Sequence, residues 1–306
     1  MKRLFFISLI CITICLLQLS SCKEAEVEFL PNTCKANPEF INSMGFNPKY
    51  SFFSTSDERT MGLLLLQSDK PGNPQATITN SIQHPSWRKA GWLAPILLDE
   101  LGNIYTAPAP FINILDNPIA NNNTIYKVDS KTGVMDEFFR LPFADSINTD
   151  NPFGIIGMIY LCESATLYVS TIAGSRRNEE NGHIYAIDVK KKKIIDEIRH
   201  TDAMGMGISY ATGQRRLYFG TGRKTFIYSI SLAANGKFEG AVQEEFTLQD
   251  MGPRGDDKVR RINSDKYGNL IIHGVEFSYN LIPAREKQET VYKFSWNADL
   301  KKWVSI

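Results

Sequence analysis

Acidic side chains are the residues of this chain whose types and spacing come nearest to catalytic or metal chemistry. The candidates form two short clusters: Asp145, Asn148 and Asp150, and Arg254, Asp256 and Asp257. Carboxylates that converge at a channel could hold Ca²⁺ or act as an acid and base pair. The first cluster lacks the spacing of an EF-hand loop, however, and ordinary turns also favour Asp and Asn. Calcium is the one cofactor that these residues suggest, and we assign no metal ligand from them.

Aromatic and basic residues supply candidates for binding rather than for reaction. Trp87 and Arg88 lie in one connection, and Arg176 and Arg177 lie in another. An exposed Trp can stack on a sugar ring or anchor a protein contact, whereas a mixed run of charges is also typical of a solvated loop tip. The chain contains no GxSxG, no HExxH and no phosphate-binding glycine loop. Catalytic residues therefore stay unassigned.

The first residues of the chain predict a location. Lys2 and Arg3 precede an uncharged apolar run of about 16 residues, shorter than the roughly 20 that span a membrane. Leu19-Ser-Ser-Cys22 follows, and this order resembles the signals of bacterial lipoproteins, which are cleaved before a lipidated cysteine. We therefore expect a signal peptide over 1–21, a lipid on Cys22 and a place at the outer membrane of the cell envelope. The acidic residues at 24 and 26 resemble a surface-export signal, and a solvated tether explains them equally well.

The composition of the mature chain excludes one class of partner. Cleavage after residue 21 removes Lys2 and Arg3, so 34 basic residues become 32 against 33 acidic ones. A net charge of about −1 argues against nucleic acid, which requires a basic surface. Contact with a membrane would come through the lipid. Besides Cys22, only Cys34 and Cys162 remain, and whether they pair is left open.

Recurring sequence phrases position these candidates, and they indicate an all-β fold beyond residue 48. A strand centred on tyrosine recurs at Tyr126, Tyr185, Tyr228 and Tyr292, with a weaker copy at Leu64. The mean spacing of about 57 residues is typical of four-stranded propeller blades. We predict a β-propeller of five blades, with a sixth blade, or a ring closed by a swapped N-terminal strand, as the alternatives. The expected blades are 39–86, 90–142, 153–200, 203–247 and 256–306, preceded by a tether over 22–38.

Two further details belong to this prediction. The inner strand of the first blade should come from around Phe40 to Phe46, the only stretch left for it. Gly205 and Gly207 precede a strand rather than a helix, so they indicate close packing around the central channel and not a nucleotide loop.

The phrases resemble those of NHL, TolB-like and quinoprotein-type propellers of secreted bacterial proteins. Asp99 to Tyr105 and Asp265 to Leu270 carry the turn-and-strand phrase, and His183 to Asp188 carries the strand phrase. The resemblance implies a propeller domain over 39–306. Such phrases build turns and strand cores, so they support the fold more than the function.

Nearly all of the extra length in the connections of the predicted propeller falls on one face. The long connections are 107–123, 173–182 and 276–289 within blades, and 81–91, 140–153 and 249–258 between blades. Long loops on a rigid scaffold usually carry binding sites. We therefore expect a lipid-anchored module that binds a glycan, a peptide or an envelope protein through this face. The alternative is a glycosidase-like or lactonase-like hydrolase. Carboxylates at the channel mouth would favour the hydrolase, and apolar and Ser/Thr groups would favour the binding module.

Overall fold

A computed structural model of the chain describes residues 34, 36–57, 59–70, 72–73, 75–109, 115–142, 151–279 and 288–306. Its strands form five antiparallel sheets that follow one another along the sequence. This arrangement confirms the prediction of an all-β propeller with five blades. In the described ranges, no helix has the length and hydropathy to cross a membrane.

The strands are numbered along the chain, and each blade is built in sequence order from its inner edge outward. Blade 1 holds β1 (Ser51–Ser54), β2 (Leu64–Ser68) and β3 (Ile78–Ile82). Blade 2 holds β4 (Leu97–Leu98), β5 (Ile104–Thr106), β6 (Thr124–Val128) and β7 (Met135–Arg140). Blade 3 holds β8 (Ile155–Leu161), β9 (Thr166–Thr171), β10 (His183–Asp188) and β11 (Lys193–Arg199).

The last two blades have four strands each. Blade 4 holds β12 (Ala203–Ser209), β13 (Arg216–Thr221), β14 (Phe226–Leu232) and β15 (Phe238–Thr247). Blade 5 holds β16 (Lys258–Ser264), β17 (Leu270–Val275), β18 (Thr290–Asn297) and β19 (Lys302–Ser305). The described helical elements are α1 (Phe40–Ser43) and the 3₁₀ turns Pro85–Arg88, Ile119–Asn121 and Cys162–Ser164.

The predicted hairpin turns form as the sequence requires. The Asp99 carboxylate accepts hydrogen bonds from the backbone N–H groups of Leu101 and Asn103. Gly102 has φ +78°, a left-handed conformation that costs a glycine little. The Asp265 turn of blade 5 repeats this bonding. These turns fix the register of the inner strands of blades 2 and 5 against their neighbours.

Hydrophobic clusters hold successive blades face to face. One cluster joins blades 2 and 3, where the Tyr105 and Tyr160 rings are stacked with centroids 6.1 Å apart. Others join blades 1 and 2, blades 3 and 4, and blades 4 and 5. Among the described residues, no such cluster joins blade 5 to blade 1. The described ring is thus packed at four of its five blade boundaries.

Blade 1 differs from the others because its three described strands correspond to the second, third and outer strands. Strand β2 has the same alternation of burial as β6, the third strand of blade 2. After β3, the Gln83 amide donates to the carbonyls of Met61 and Leu63, just before β2. The backbone N–H of Leu141 makes the same connection to Asn123 in blade 2. The strand without a described counterpart is therefore the inner one.

The prediction of an inner strand from around Phe40 to Phe46 is wrong. This stretch begins with the helix α1 instead, and the Phe40 N–H donates to the Ser130 carbonyl in a turn of blade 2. The Phe40 ring packs against the rings of Phe53 and Trp87. A segment that can bury its aromatic side chains against the propeller gains more free energy from a helical turn than from an isolated strand edge.

A disulfide joins Cys34 to Cys162, across 128 positions of sequence. Cys162 lies in the turn that follows the inner strand of blade 3. Farther along, Asn37 and Pro38 touch the Gly102 turn of blade 2. The segment that leads into blade 1 is therefore fixed to blades 3 and 2.

Glycines bring the inner strands close together around the centre. A Cβ atom on Gly205 would lie 2.7 Å from the Arg261 backbone nitrogen, and one on Gly207 would lie 2.7 Å from the Ile262 carbonyl oxygen. Real side chains do not tolerate such contacts, so β12 and β16 can approach only because these residues are glycine. The predicted role of the two glycines in close packing is confirmed.

Candidate functional site

A cavity of about 630 Å³ lies at the centre of the propeller, between the inner strands. Its size falls in the usual range of ligand pockets. Apolar lining residues come from the start of blade 2 and from the inner strands of blades 3 and 4: Leu93, Ala94, Pro95, Ile96, Ile156, Met158, Ile159, Met204 and Met206. Polar lining residues come from the first and last blades: Thr55 and Ser56 of blade 1, and Arg260, Arg261 and Asn263 of blade 5.

A β-bulge presents two successive arginines to this cavity. The pairing of β16 with β17 shifts register between Val259 and Arg261, which leaves Arg260 as the extra residue. A regular strand would send Arg260 and Arg261 to opposite faces, whereas a bulge redirects one side chain. Both residues line the cavity, and their side chains are about half exposed, at 47% and 54%.

Glu289 gathers these arginines into one charged cluster. One of its carboxylate oxygens lies 3.0 Å from an Arg260 nitrogen, and the other lies 3.0 Å from an Arg261 nitrogen. The ring of His273 contacts the second oxygen at 2.8 Å. Two guanidinium groups of adjacent residues therefore share one carboxylate in this cluster.

The ionisation of Glu289 follows from these contacts. Burial opposes the charged form, but the hydrogen bond to His273 and the charges of Arg260 and Arg261 outweigh it and lower the pKa of Glu289. The carboxyl group is therefore ionised at neutral pH. A general acid needs a raised pKa instead, so this residue is suited to orienting the arginines.

A second polar centre lies above blades 3 and 4 and ties several loops together. The carboxylate of Asp202 is fully buried and accepts hydrogen bonds from Arg223 at 2.8 Å and from the Tyr279 hydroxyl at 2.5 Å. It also accepts from Ser175 and from the Gly182 N–H. Burial, then the charge and hydrogen bond of Asp202, raise the pKa of Tyr279, so its hydroxyl stays a donor.

Arg223 carries this network into the neighbouring loop. Its guanidinium donates to the backbone carbonyls of Arg176, Arg177 and Glu179. It also lies over the Tyr279 ring, 4.9 Å from the centroid. Residues from blades 3, 4 and 5 therefore meet on one side of the ring, which we call the loop face.

Blade 5 contains a second buried carboxylate that accepts hydrogen bonds from an arginine and a tyrosine. Asp257 is buried and accepts hydrogen bonds from Arg254 and, at 2.7 Å, from the Tyr292 hydroxyl. Burial opposes its ionisation, but the bonds from Arg254 and Tyr292 outweigh it and lower the pKa of Asp257. Arg254 also donates to Thr290 at 2.8 Å. These groups are occupied with holding the connection to blade 5 in place.

The structure separates the residues that the sequence suggested as a binding face. Trp87 is fully buried and its indole N–H donates to the Gly133 carbonyl, so this ring is core and cannot stack on a ligand. Arg88 is exposed. Arg176 and Arg177 have exposed side chains, and their backbone carbonyls anchor Arg223.

The remaining sequence candidates fall into two groups. Asp257 is buried with Arg254, whereas Asp256 is exposed. Cys22, Asp145, Asn148 and Asp150 lie outside the described residues. Within the described ranges, no group of three or more His, Cys, Asp or Glu residues could hold a metal ion.

Sequence reasoning did not select Arg260, Arg261 or Glu289. One signal was present: two adjacent arginines interrupt a strand whose neighbours Val259 and Ile262 are buried. Strict alternation leaves one of two such charges facing the core, and a bulge resolves the conflict. Asp202 and Arg223 gave no signal, because a charge next to a turn is usually solvated.

No protein-family model and no curated protein matches this sequence. Solved structures do match in fold. The chain is similar to a protein from Lactobacillus plantarum (TM-score 0.51, 13% identity), with 85% of this chain and 68% of that one covered. It is similar to a luciferin-regenerating enzyme (TM-score 0.49, 13% identity, 93% and 78% covered). It is also similar to the calcium-binding protein regucalcin from Agrobacterium tumefaciens (TM-score 0.45, 12% identity, 87% and 75% covered). At these identities the likeness shows a propeller fold alone.

Proposed function

We propose that this protein is a lipid-anchored propeller of the cell envelope that binds a segment of a partner protein at its central cavity. One observation carries the proposal: the described cavity lining combines apolar side chains, Thr and Ser with two half-exposed arginines, and it includes no carboxylate. Apolar surface with a few convergent polar groups is the usual make-up of a binding pocket.

The same lining favours a peptide over a glycan. Sugar sites usually offer an exposed aromatic ring for stacking, and Trp87 is buried. Trp92 is partly buried and its indole N–H donates to Asp116. The arginines at the mouth fit carboxylates, which acidic side chains and a chain terminus both provide.

A charge reversal with a matched control tests this function. Arg261→Glu places a negative charge at the cavity, whereas Arg199→Glu changes an exposed arginine on β11 that also pairs with one glutamate. The full-length chain is expressed in bacterial cells, cross-linked and recovered from the envelope. We expect a cross-linked partner that Arg261→Glu reduces at least tenfold and that Arg199→Glu retains.

Other outcomes would overturn the proposal. An equal yield from all three chains would exclude the cavity as the binding site. Hydrolysis of aryl glycosides or lactones by the purified chain, lost in Asp145→Asn or Asp150→Asn, would favour the hydrolase instead. A Cys22→Ser chain that stays in the membrane fraction would contradict the proposed lipid anchor.

A further inference from the structure

The short turns of blades 2 to 5 lie together on one side of the ring, which we call the turn face. They comprise the turn after each inner strand and the turn before each outer strand, at the strand ends that point away from the loop face. Turns of neighbouring blades touch there, at Glu100 and Lys190, Glu163 and Tyr210, and Ser209 and Gly268. A ring that is anchored to a membrane presents one face to it and the other to partners, so the chemistry of the turn face bears on function.

The segment that leads into the ring arrives on the turn face. Cys34 is bonded to Cys162, which lies in the turn after the inner strand of blade 3. Asn37 then touches the Gly102 turn of blade 2. Cys22, the proposed site of the lipid, precedes Cys34 by twelve positions, which at about 3.3 Å per residue span roughly 40 Å at most. The proposed lipid is therefore tied to the turn face by a short stretch of chain.

Exposed apolar side chains stand at the tips of three turns on this face. Leu101 of blade 2 is 65% exposed, and Tyr267 and Leu300 of blade 5 are 43% and 58% exposed. Turn tips usually carry polar residues instead. Lysines flank the two tips of blade 5: Lys266 has its Nζ 4.8 Å from the centroid of the Tyr267 ring, and Lys301 follows Leu300. Apolar groups beside lysines suit the boundary between lipid headgroups and acyl chains.

The turn face also carries exposed lysines. Four of them are consecutive, at 190–193, and the side chains of Lys190 and Lys191 stay 72% and 66% exposed although each pairs with a carboxylate. The others are Lys131, Lys237, Lys266, Lys301 and Lys302. Turn carboxylates such as Asp129 and Asp265 are held close to the backbone by N–H groups of their own turns. The longer lysines reach farther out, where they can attract anionic headgroups.

We infer that the turn face lies on the surface of a membrane that contains anionic phospholipid, and that the loop face is turned toward water. This inference rests on the lipid anchor proposed above and deepens it, because it states which side of the ring is open to a partner. The lipid holds the chain at the membrane, and the apolar tips and lysines set the orientation of the ring.

Lysine labelling on vesicles tests this orientation. The full chain is expressed in bacterial cells, purified with its lipid and added to preformed vesicles of phosphatidylethanolamine and phosphatidylglycerol in equal parts. A membrane-impermeant reagent, sulfosuccinimidyl acetate, acetylates the accessible lysines, and mass spectrometry measures the extent at each one. Phosphatidylcholine vesicles are the control, because they keep the anchor and lack the anionic headgroup.

We expect labelling at 190–193 and at Lys301 to be at least threefold lower on the anionic vesicles than on phosphatidylcholine. Lys224 is exposed beside Arg223 on the loop face, so its labelling should be equal on both.

A variant with a matched control tests the apolar tips. The combined change Leu101→Ser, Tyr267→Ser and Leu300→Ser should remove at least half of the protection at 190–193. Val242→Ser, at a 40% exposed position on the outer strand β15, should retain it. Urea unfolding of both variants verifies that the fold is kept.

Several results would overturn the inference. Equal labelling of 190–193 on both kinds of vesicle would refute contact of the turn face with anionic lipid and leave the anchor and the binding function intact. Protection of Lys224 in place of 190–193 would put the loop face on the membrane. A protein that does not join vesicles at all would refute the lipid anchor itself, whereas the Arg261→Glu cross-linking experiment tests partner binding separately.

Discussion

The inner strand of blade 4 and the innermost described strand of blade 1 belong to the same ring but have different surroundings. Strand β12 is buried along its whole length, and its glycines allow β16 to approach it closely. Strand β1 is partly exposed, and in the described structure only β2 pairs with it. In the described structure, blade 4 is therefore a complete four-stranded blade, whereas three strands of blade 1 are described.

The difference extends to how each blade is attached. Blades 3, 4 and 5 are linked through buried carboxylates and the arginines that pair with them. Blade 1 is attached by its cluster with blade 2, by the aromatic contacts of α1, and by the disulfide that fixes the preceding segment to blade 3. We therefore expect changes to the disulfide to affect blade 1 and changes to the buried carboxylates to affect the loop face.

Removal of the disulfide should have the largest effect. Replacing Cys34 and Cys162 by Ser opens a loop of 128 positions, and loop-closure entropy then predicts a loss of about 5 kcal/mol in the free energy of unfolding. Denaturant unfolding measures the loss, and hydrogen exchange should show faster opening in β1 to β3 than in β12 to β15. Cys22→Ser serves as the control. Equal loss of protection in blades 1 and 4 would contradict the comparison.

Breaking the Asp202 network should have the next largest effect. Asp202→Asn removes the negative charge that Arg223 and Tyr279 contact. A buried ion that has lost its counter-charge lowers the free energy of unfolding by about 3 kcal/mol. The corresponding hydrogen bonds in blade 1, which the Gln83 amide donates, involve no charged group. Gln83→Ala should therefore lower the free energy of unfolding by only about 1 kcal/mol. Thermal or denaturant unfolding of both variants measures the ratio.

Asp256→Asn is the matched control for this experiment, because Asp256 is exposed. Its effect should stay within about 0.5 kcal/mol of the parent chain. If Gln83→Ala cost as much as Asp202→Asn, the two attachments would be energetically equivalent and the contrast between the blades would fail.

The sequence was sufficient for the closed blades because their local signals agree. Turn residues such as Asp99 and Gly102 fix hairpins, and alternating apolar residues fix which face is buried. The start of blade 1 could not be predicted in the same way. Phe40 and Phe46 are apolar in either a strand or a helix, and only packing against Trp87 and blade 2 decides between them.

The site was harder to predict than the fold for a related reason. Trp87 in a polar connection suggests a surface ring, but tertiary packing buries it. Arg260 and Arg261 reach the cavity through a bulge, and although the adjacent arginines hint at one, its position depends on the pairing of β16 with β17. Residues that act through a partner from another blade, such as Asp202 with Tyr279, lie far apart in sequence.

The smallest predicted effect is the contribution of Glu289, at the cavity mouth, to the free energy of unfolding. Its pH dependence and size can be compared with those of the buried Asp202 network. The pKa of Glu289 is lowered, so its ionised form stabilises the folded chain above the ordinary value of 4.5, and this contribution is lost as the pH falls through the lowered pKa. Its partners Arg260 and Arg261 are about half exposed, which limits the contribution to about 0.5–1 kcal/mol. Glu289→Gln should therefore be less stable than the parent chain at pH 7, and in urea unfolding the difference should shrink below pH 4.5 and vanish once the pH is below the lowered pKa. Glu239→Gln, an exposed position on β15, should stay within about 0.5 kcal/mol of the parent chain. If Glu289→Gln lowered the free energy of unfolding at pH 7 as much as Asp202→Asn does, the charged cluster at the cavity mouth would be a structural element of the fold and not a binding site.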